Sequence, residues 1–140
     1  MREIVLVDTG PLVAWLIASD SQHAWAVAQF ARLPPPLLTC EAVLSEAAHL
    51  IEYHGGEPAV VLDLVARGVF RVPQQIERDS RVLSVLLRRY RNVPMSLADA
   101  CLVRLSELHD PSAVLTLDSD FRIYRRHGRS LIPLIMPAKL

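Results

Sequence analysis

Four carboxylates, Asp8, Glu46, Asp99 and Asp118, stand in surroundings that solvation alone does not explain. Asp8 directly follows Ile4-Val5-Leu6-Val7, a run short and apolar enough for a strand buried on both faces. Gly10-Pro11 then turns the chain, with Pro11 suited to the first turn of a helix. Asp118 ends a second such run, Val114-Leu115-Thr116-Leu117. Ligands of open α/β sheets bind beyond the carboxyl ends of the strands, so two strand-end aspartates can face one crevice. Each could equally cap the element that follows it. On a wheel at about 100° per residue, Glu46 falls inside the apolar arc of a helix predicted over 41–54. Ala42 and Tyr53 lie on one flank of it, Val43 and Leu50 on the other. A charge there needs a partner or a metal, unless it snorkels from the arc's edge or pairs with an arginine. Asp99 fits the capping box Ser96-Leu97-Ala98-Asp99, and its helical phase agrees with plain exposure, so a cap stands beside a ligand as its reading.

Taken together, these residues suggest three or four carboxylates around one hard cation. Oxygen ligands without a histidine or cysteine cluster select Mg²⁺ or Mn²⁺ over zinc. Without a cation, such a cluster repels itself and raises its own pKa values. A phosphodiester is the natural substrate of such a site.

The elements that must position these groups alternate. Helices are expected over about 11–18, 21–32, 41–54, 58–67, 76–91 and 96–109, with a short turn around Phe121 and Tyr124. Strands are expected at 4–7, 37–39, 69–72 and 114–117, with an edge strand over Leu131–Ile135 that tolerates Pro133. Alternation of this kind implies an α/β fold with a parallel sheet covered by helices on both faces. The length of 140 residues fits a single domain, 1–140, and the hydrophobic share of 51% supplies its core. No apolar run reaches the span of a membrane helix, and acidic residues interrupt the N-terminal one, so neither a membrane segment nor a signal peptide is expected. Cys40 and Cys101 lack metal-ligand spacing and read as reduced core residues of a cytoplasmic protein. The five histidines are scattered and read as surface or helix-end residues. Trp15 and Trp25 read as core or dimer-interface residues. A formal net charge of zero hides a surplus of five acids in residues 1–70 and of five basic residues in 71–140. Arginine supplies nearly all of the positive charge, which suits phosphate.

The motifs Val7-Asp8-Thr9-Gly10-Pro11-Leu12, Ser45-Glu46-Ala47, Leu97-Ala98-Asp99-Ala100 and Leu115-Thr116-Leu117-Asp118-Ser119-Asp120-Phe121 occur in this order across the chain. In them the chain resembles the PIN-domain ribonucleases found as VapC toxins of prokaryotic toxin–antitoxin pairs. The resemblance implies a three-layer α/β/α sandwich with a central, mainly parallel sheet. It implies an acidic quartet of Asp8, Glu46, Asp99 and Asp118 holding Mg²⁺ or Mn²⁺, supported by Thr9 and Thr116, with Asp120 as a fifth carboxylate. It further implies endonucleolytic cleavage of RNA, a homodimer and inhibition by a small antitoxin. Thr116-Leu117-Asp118 stands where many members carry an arginine before the last aspartate.

Arg122, Arg125 and Arg126, with Arg129, follow the last acidic motif and read as RNA-proximal. Arg78, Arg81, Arg88 and Arg89 line one side of helix 76–91 and read as a solvated or partner-facing stripe. Receiver domains and haloacid-dehalogenase-type phosphatases require a lysine, and Lys139 stands alone at the end of the chain. No Gly-rich phosphate loop is present. The expected activity is metal-dependent RNA hydrolysis leaving a 5′-phosphate and a 3′-hydroxyl. The alternative is a PIN-like module that binds RNA or an antitoxin with little turnover.

Overall fold

β1 (Ile4–Val7) lies at the centre of a five-stranded parallel sheet, as its unbroken apolar run requires. The computed structural model describes residues 3–139. Strand order is β3-β2-β1-β4-β7, with β2 at Leu37–Leu38, β3 at Phe70–Arg71, β4 at Ser112–Leu115 and β7 at Leu134–Ile135. The chain winds outward from β1 to β2 and β3, then crosses back to place β4 on the other side of β1. The strand order therefore reverses between β1 and β4, and the crevice at that reversal is where an open sheet binds its ligand.

Six helices flank the sheet: α1 (Thr9–Leu16), α2 (His23–Arg32), α3 (Glu41–Tyr53), α4 (Val60–Ala66), α5 (Ile76–Arg89) and α6 (Leu97–Leu108). α1 packs on α2 and α3, α3 on both α4 and α6, and α5 on α6. α6 is buried along most of its length, including Ala98, Ala100 to Val103 and Leu105, and it packs on both β1 and β4. Trp15 stacks on Phe30 with ring centroids 4.1 Å apart, and Phe30 meets Phe70 edge-on, closing the α1–α2 side. Cys40 and Cys101 are free and buried, as expected.

Among the boundaries that differ from the sequence reading, three bear on the site. α1 starts at Thr9 rather than Pro11, which makes Asp8 its N-cap. β4 runs from Ser112 to Leu115 rather than 114–117. Because Val7 is in register with Leu115 and the Asp8 amide bonds the Leu115 carbonyl at 3.0 Å, Thr116 lies across from Asp8. The single edge strand expected over 131–135 is divided. Leu134–Ile135 joins the main sheet, whereas β6 (Ser130–Leu131) pairs with β5 (Arg125–Arg126) in a separate antiparallel hairpin. His127 and Gly128, both at positive φ, form its turn, a backbone that matches the twist of paired strands.

Candidate active site

Asp8, Glu46, Asp99 and Asp118 all line one open pocket of about 540 Å³, together with Thr9, Gly10, Ser96, Leu117 and Ser119. The pocket lies at the carboxyl ends of β1 and β4. Each acid comes from a different segment, and three of them carry a second duty as helix caps.

Asp8 caps α1. Its Oδ1 accepts the Thr9 amide at 2.8 Å, and its Oδ2 accepts the Thr116 hydroxyl at 2.7 Å. The same Thr116 oxygen accepts the Asp118 amide at 2.9 Å, so one hydroxyl joins two acidic positions. Asp118 caps the 3₁₀ turn Ser119–Arg122, with its Oδ1 accepting the Asp120 amide at 2.9 Å. Asp99 completes the capping box of α6: Ser96 Oγ accepts the Asp99 amide at 3.1 Å, and Asp99 Oδ2 accepts the Ser96 amide at 3.0 Å. For these aspartates a capping duty and a place on the pocket wall coincide.

Glu46 differs from the expectation. It is exposed rather than set in a buried arc, for α3 buries Val43, Leu44, Ala47 and Ile51 while Tyr53 on the Glu46 flank is 78% exposed. Glu46 itself lines the open pocket, and no hydrogen bond or ion pair engages its side chain among the described residues.

The electrostatics are those of an unneutralised acid cluster. Burial pushes Asp8 up to about 7, and the Asp99 and Asp118 charges add to the rise, against the pull of its Thr116 and Thr9 hydrogen bonds. Burial likewise raises Asp99, which Asp118 and Glu46 push further, while Ser96 pulls it down. The four ion pairs among the described residues all lie elsewhere. The Thr9 hydroxyl is buried at the pocket without a hydrogen-bond partner among the described residues. An all-oxygen donor set, carrying more negative charge than it can hold comfortably and lacking a basic partner, fits a hard divalent cation. The acids stand on the walls of the pocket without closing a cage, since no three His, Cys, Asp or Glu side chains form a ready ligand set among the described residues. Gly10 lies close under the loop that carries Asp118, where a Cβ would stand 3.3 Å from that of Leu117.

The arginines divide by environment. Arg126, expected near RNA, is buried. Its guanidinium donates to the Ser106 carbonyl and to Asp110 Oδ1 at 3.4 Å, so it is an internal strut that cannot reach a ligand. Arg125 folds its Nη1 onto the carbonyls of Arg122, Ile123 and Tyr124. Arg122 is exposed. Asp120 is half-buried beside the pocket and does not line it. Sequence reasoning saw Ser96 only as a cap, although its spacing from Asp99 also placed it at the pocket.

A family model of the PIN domain matches residues 5–126. Among solved structures, the crystal structure of Mycobacterium tuberculosis VapC20, described as a sarcin–ricin loop cleaving toxin, superposes with a TM-score of 0.74. The match covers 92% of this chain and 99% of that one at 23% sequence identity, and it establishes a shared fold. No curated protein matches the chain.

Proposed function

The chain belongs to the PIN-domain family, and from that premise we propose that it is a divalent-metal-dependent endoribonuclease, the toxin of a toxin–antitoxin pair. In this reading one domain, 1–140, cleaves RNA at the pocket of Asp8, Glu46, Asp99 and Asp118. The observation that carries it is the convergence of these four acids, from four segments, on one pocket without a basic partner among the described residues. The four carboxylates would hold Mg²⁺ or Mn²⁺, with Thr9 and Thr116 supporting them and Asp120 acting from outside the pocket wall. A divalent cation bound there supplies Lewis acidity to the phosphoryl group and offsets the charge that grows on the leaving oxygen.

The residues of the chain contribute position and electrostatics. Thr116 holds Asp8 and the start of the Asp118 loop in fixed relation, and the capping box does the same for Asp99. Glu46, free of internal bonds, is the acid able to adjust its position as ligands enter. Water attacks phosphorus in line with the 3′ oxygen, the P–O3′ bond breaks, and the products carry a 5′-phosphate and a 3′-hydroxyl. Arg122 lies exposed at the end of the turn that Asp118 caps, where it would meet the RNA backbone. The protein is read as a cytoplasmic homodimer whose activity a small antitoxin restrains.

The test is cleavage of a sarcin–ricin loop hairpin, beside unstructured RNA, with Mg²⁺ or Mn²⁺, with EDTA, and with Asp8→Asn. The expected result is cleavage by the wild type that is lost in both controls. Cleavage persisting in both would overturn the mechanism, and RNA binding without cleavage of any RNA would favour a binding module.

A further inference from the structure

Tyr124 has no place in the carboxylate pocket, yet its phenol joins the two segments that carry Asp118 and Asp99. It lies six residues after Asp118, its ring is fully buried, and Phe121 and Tyr90 meet it edge-on at centroid distances of 5.2 and 5.1 Å. Its backbone amide bonds the Asp120 carbonyl at 3.2 Å, which ties the ring to the turn that Asp118 caps. At its other end the hydroxyl donates to the Pro94 carbonyl at 2.7 Å, two residues before the Ser96 cap of α6. The same oxygen stands 3.5 Å from Asp99 Oδ2, the carboxylate oxygen that accepts the Ser96 amide.

Resting on the metal site proposed above, we infer that Tyr124 is a positioning residue that orients Asp99 for the cation. A phenol has one proton, and the short bond to Pro94 claims it. Asp99 Oδ2 lies at the outer limit of reach of the same hydroxyl, so that oxygen is held by Ser96 and bordered by Tyr124. Asp99 Oδ1 makes no hydrogen bond among the described residues and is the oxygen left for a ligand. The Pro94 bond fixes the loop on which the whole capping box stands. Removing the hydroxyl frees that loop from the Asp118 segment while leaving the aromatic packing in place. Partners of metal ligands that act in this way commonly change metal affinity by about 10–100-fold when lost.

The test is Mn²⁺ binding to the RNA-free protein, followed by electron paramagnetic resonance of the free ion, for wild type, Tyr124→Phe and Asp99→Asn. Thermal unfolding in EDTA is measured beside it. Tyr124→Phe is expected to bind Mn²⁺ about tenfold more weakly, with its unfolding temperature in EDTA lowered only modestly by loss of the single Pro94 hydrogen bond. Unchanged Mn²⁺ affinity in Tyr124→Phe, with affinity lost in Asp99→Asn, overturns this inference and leaves the metal site standing. Unchanged affinity in Asp99→Asn overturns the site itself. Should Tyr124→Phe not fold, the wild-type chain labelled with 3-fluorotyrosine is titrated with Mg²⁺ and its ¹⁹F spectrum assigned through Tyr53→Phe and Tyr90→Phe. A saturable shift at Tyr124 with none at exposed Tyr53 supports the role, and a Tyr124 resonance indifferent to Mg²⁺ overturns it.

Discussion

The Thr116 hydroxyl donates to Asp8 Oδ2 at 2.7 Å across 108 positions of the chain, and its oxygen accepts the amide of Asp118. The parallel register of β1 and β4 makes this bond, since Thr116 lies opposite Asp8 as Leu115 lies opposite Val7. Thr116→Val keeps the shape and removes both bonds. It is expected to lower unfolding free energy by about 1–3 kcal/mol and Mn²⁺ affinity by about tenfold. Thr116→Ser should restore most of both. Urea unfolding in EDTA and Mn²⁺ titration check this, and equal behaviour of the valine and serine variants would contradict it.

Asp8 sets a pH dependence. Its folded-state pKa of about 7 stands above the ordinary 3.8, so between about pH 4 and 7 the folded chain keeps a proton that the unfolded chain has released. Metal-free stability therefore falls as pH rises through that window, by up to about 4 kcal/mol from this group. The raised Asp99 acts in the same direction. Saturating Mn²⁺ should reverse the slope, because the cation binds the ionised form. Melting temperatures from pH 5 to 8, with EDTA and with Mn²⁺, test this. Asp8→Asn should flatten most of the EDTA slope.

Glu46 is the acid without a structural task. Glu46→Gln is expected to leave stability in EDTA within about 0.5 kcal/mol while weakening Mn²⁺ binding and lowering RNA cleavage at least tenfold. A variant that unfolds early, or one that cleaves as the wild type does, would remove Glu46 from the site.

Arg126 and Arg122 should behave as opposites. Arg126→Ala strands the Ser106 carbonyl and is expected to cost about 2–4 kcal/mol, with RNA affinity per folded molecule unchanged. Arg122→Ala should leave stability within about 0.5 kcal/mol and weaken RNA binding with a shallower salt dependence. Fluorescence anisotropy of labelled RNA at several salt concentrations, beside urea unfolding, distinguishes the two.

Order and type of the main elements were legible because short apolar runs alternate with amphipathic ones and glycine or proline punctuates them. The caps were legible for the same local reason: Asp8, Ser96 and Asp118 sit at the element starts they serve. Glu46 misled because a helical wheel records which side chains are apolar and not what each flank meets. Ala42 packs against the core, Tyr53 is exposed, and Glu46 between them lines an open pocket. Arg126 and Tyr124 could not be read, since their partners are distant in sequence: the Ser106 carbonyl meets Arg126 where the hairpin packs on α6, and the Pro94 carbonyl meets Tyr124 across 30 residues. The hairpin was hidden too, because Arg125-Arg126-His127-Gly128-Arg129 has no apolar alternation to mark it.

The capping duties of Asp8, Asp99 and Asp118 carry a consequence for tracing descent. A chain of this fold that had stopped cleaving RNA would still need those aspartates to begin two helices and a turn, and drift would be slow to remove them. Their presence in a distant relative is thus a poor witness to its chemistry. Position 46 serves no cap and fills no core, so a glutamate kept there answers to no demand of the fold.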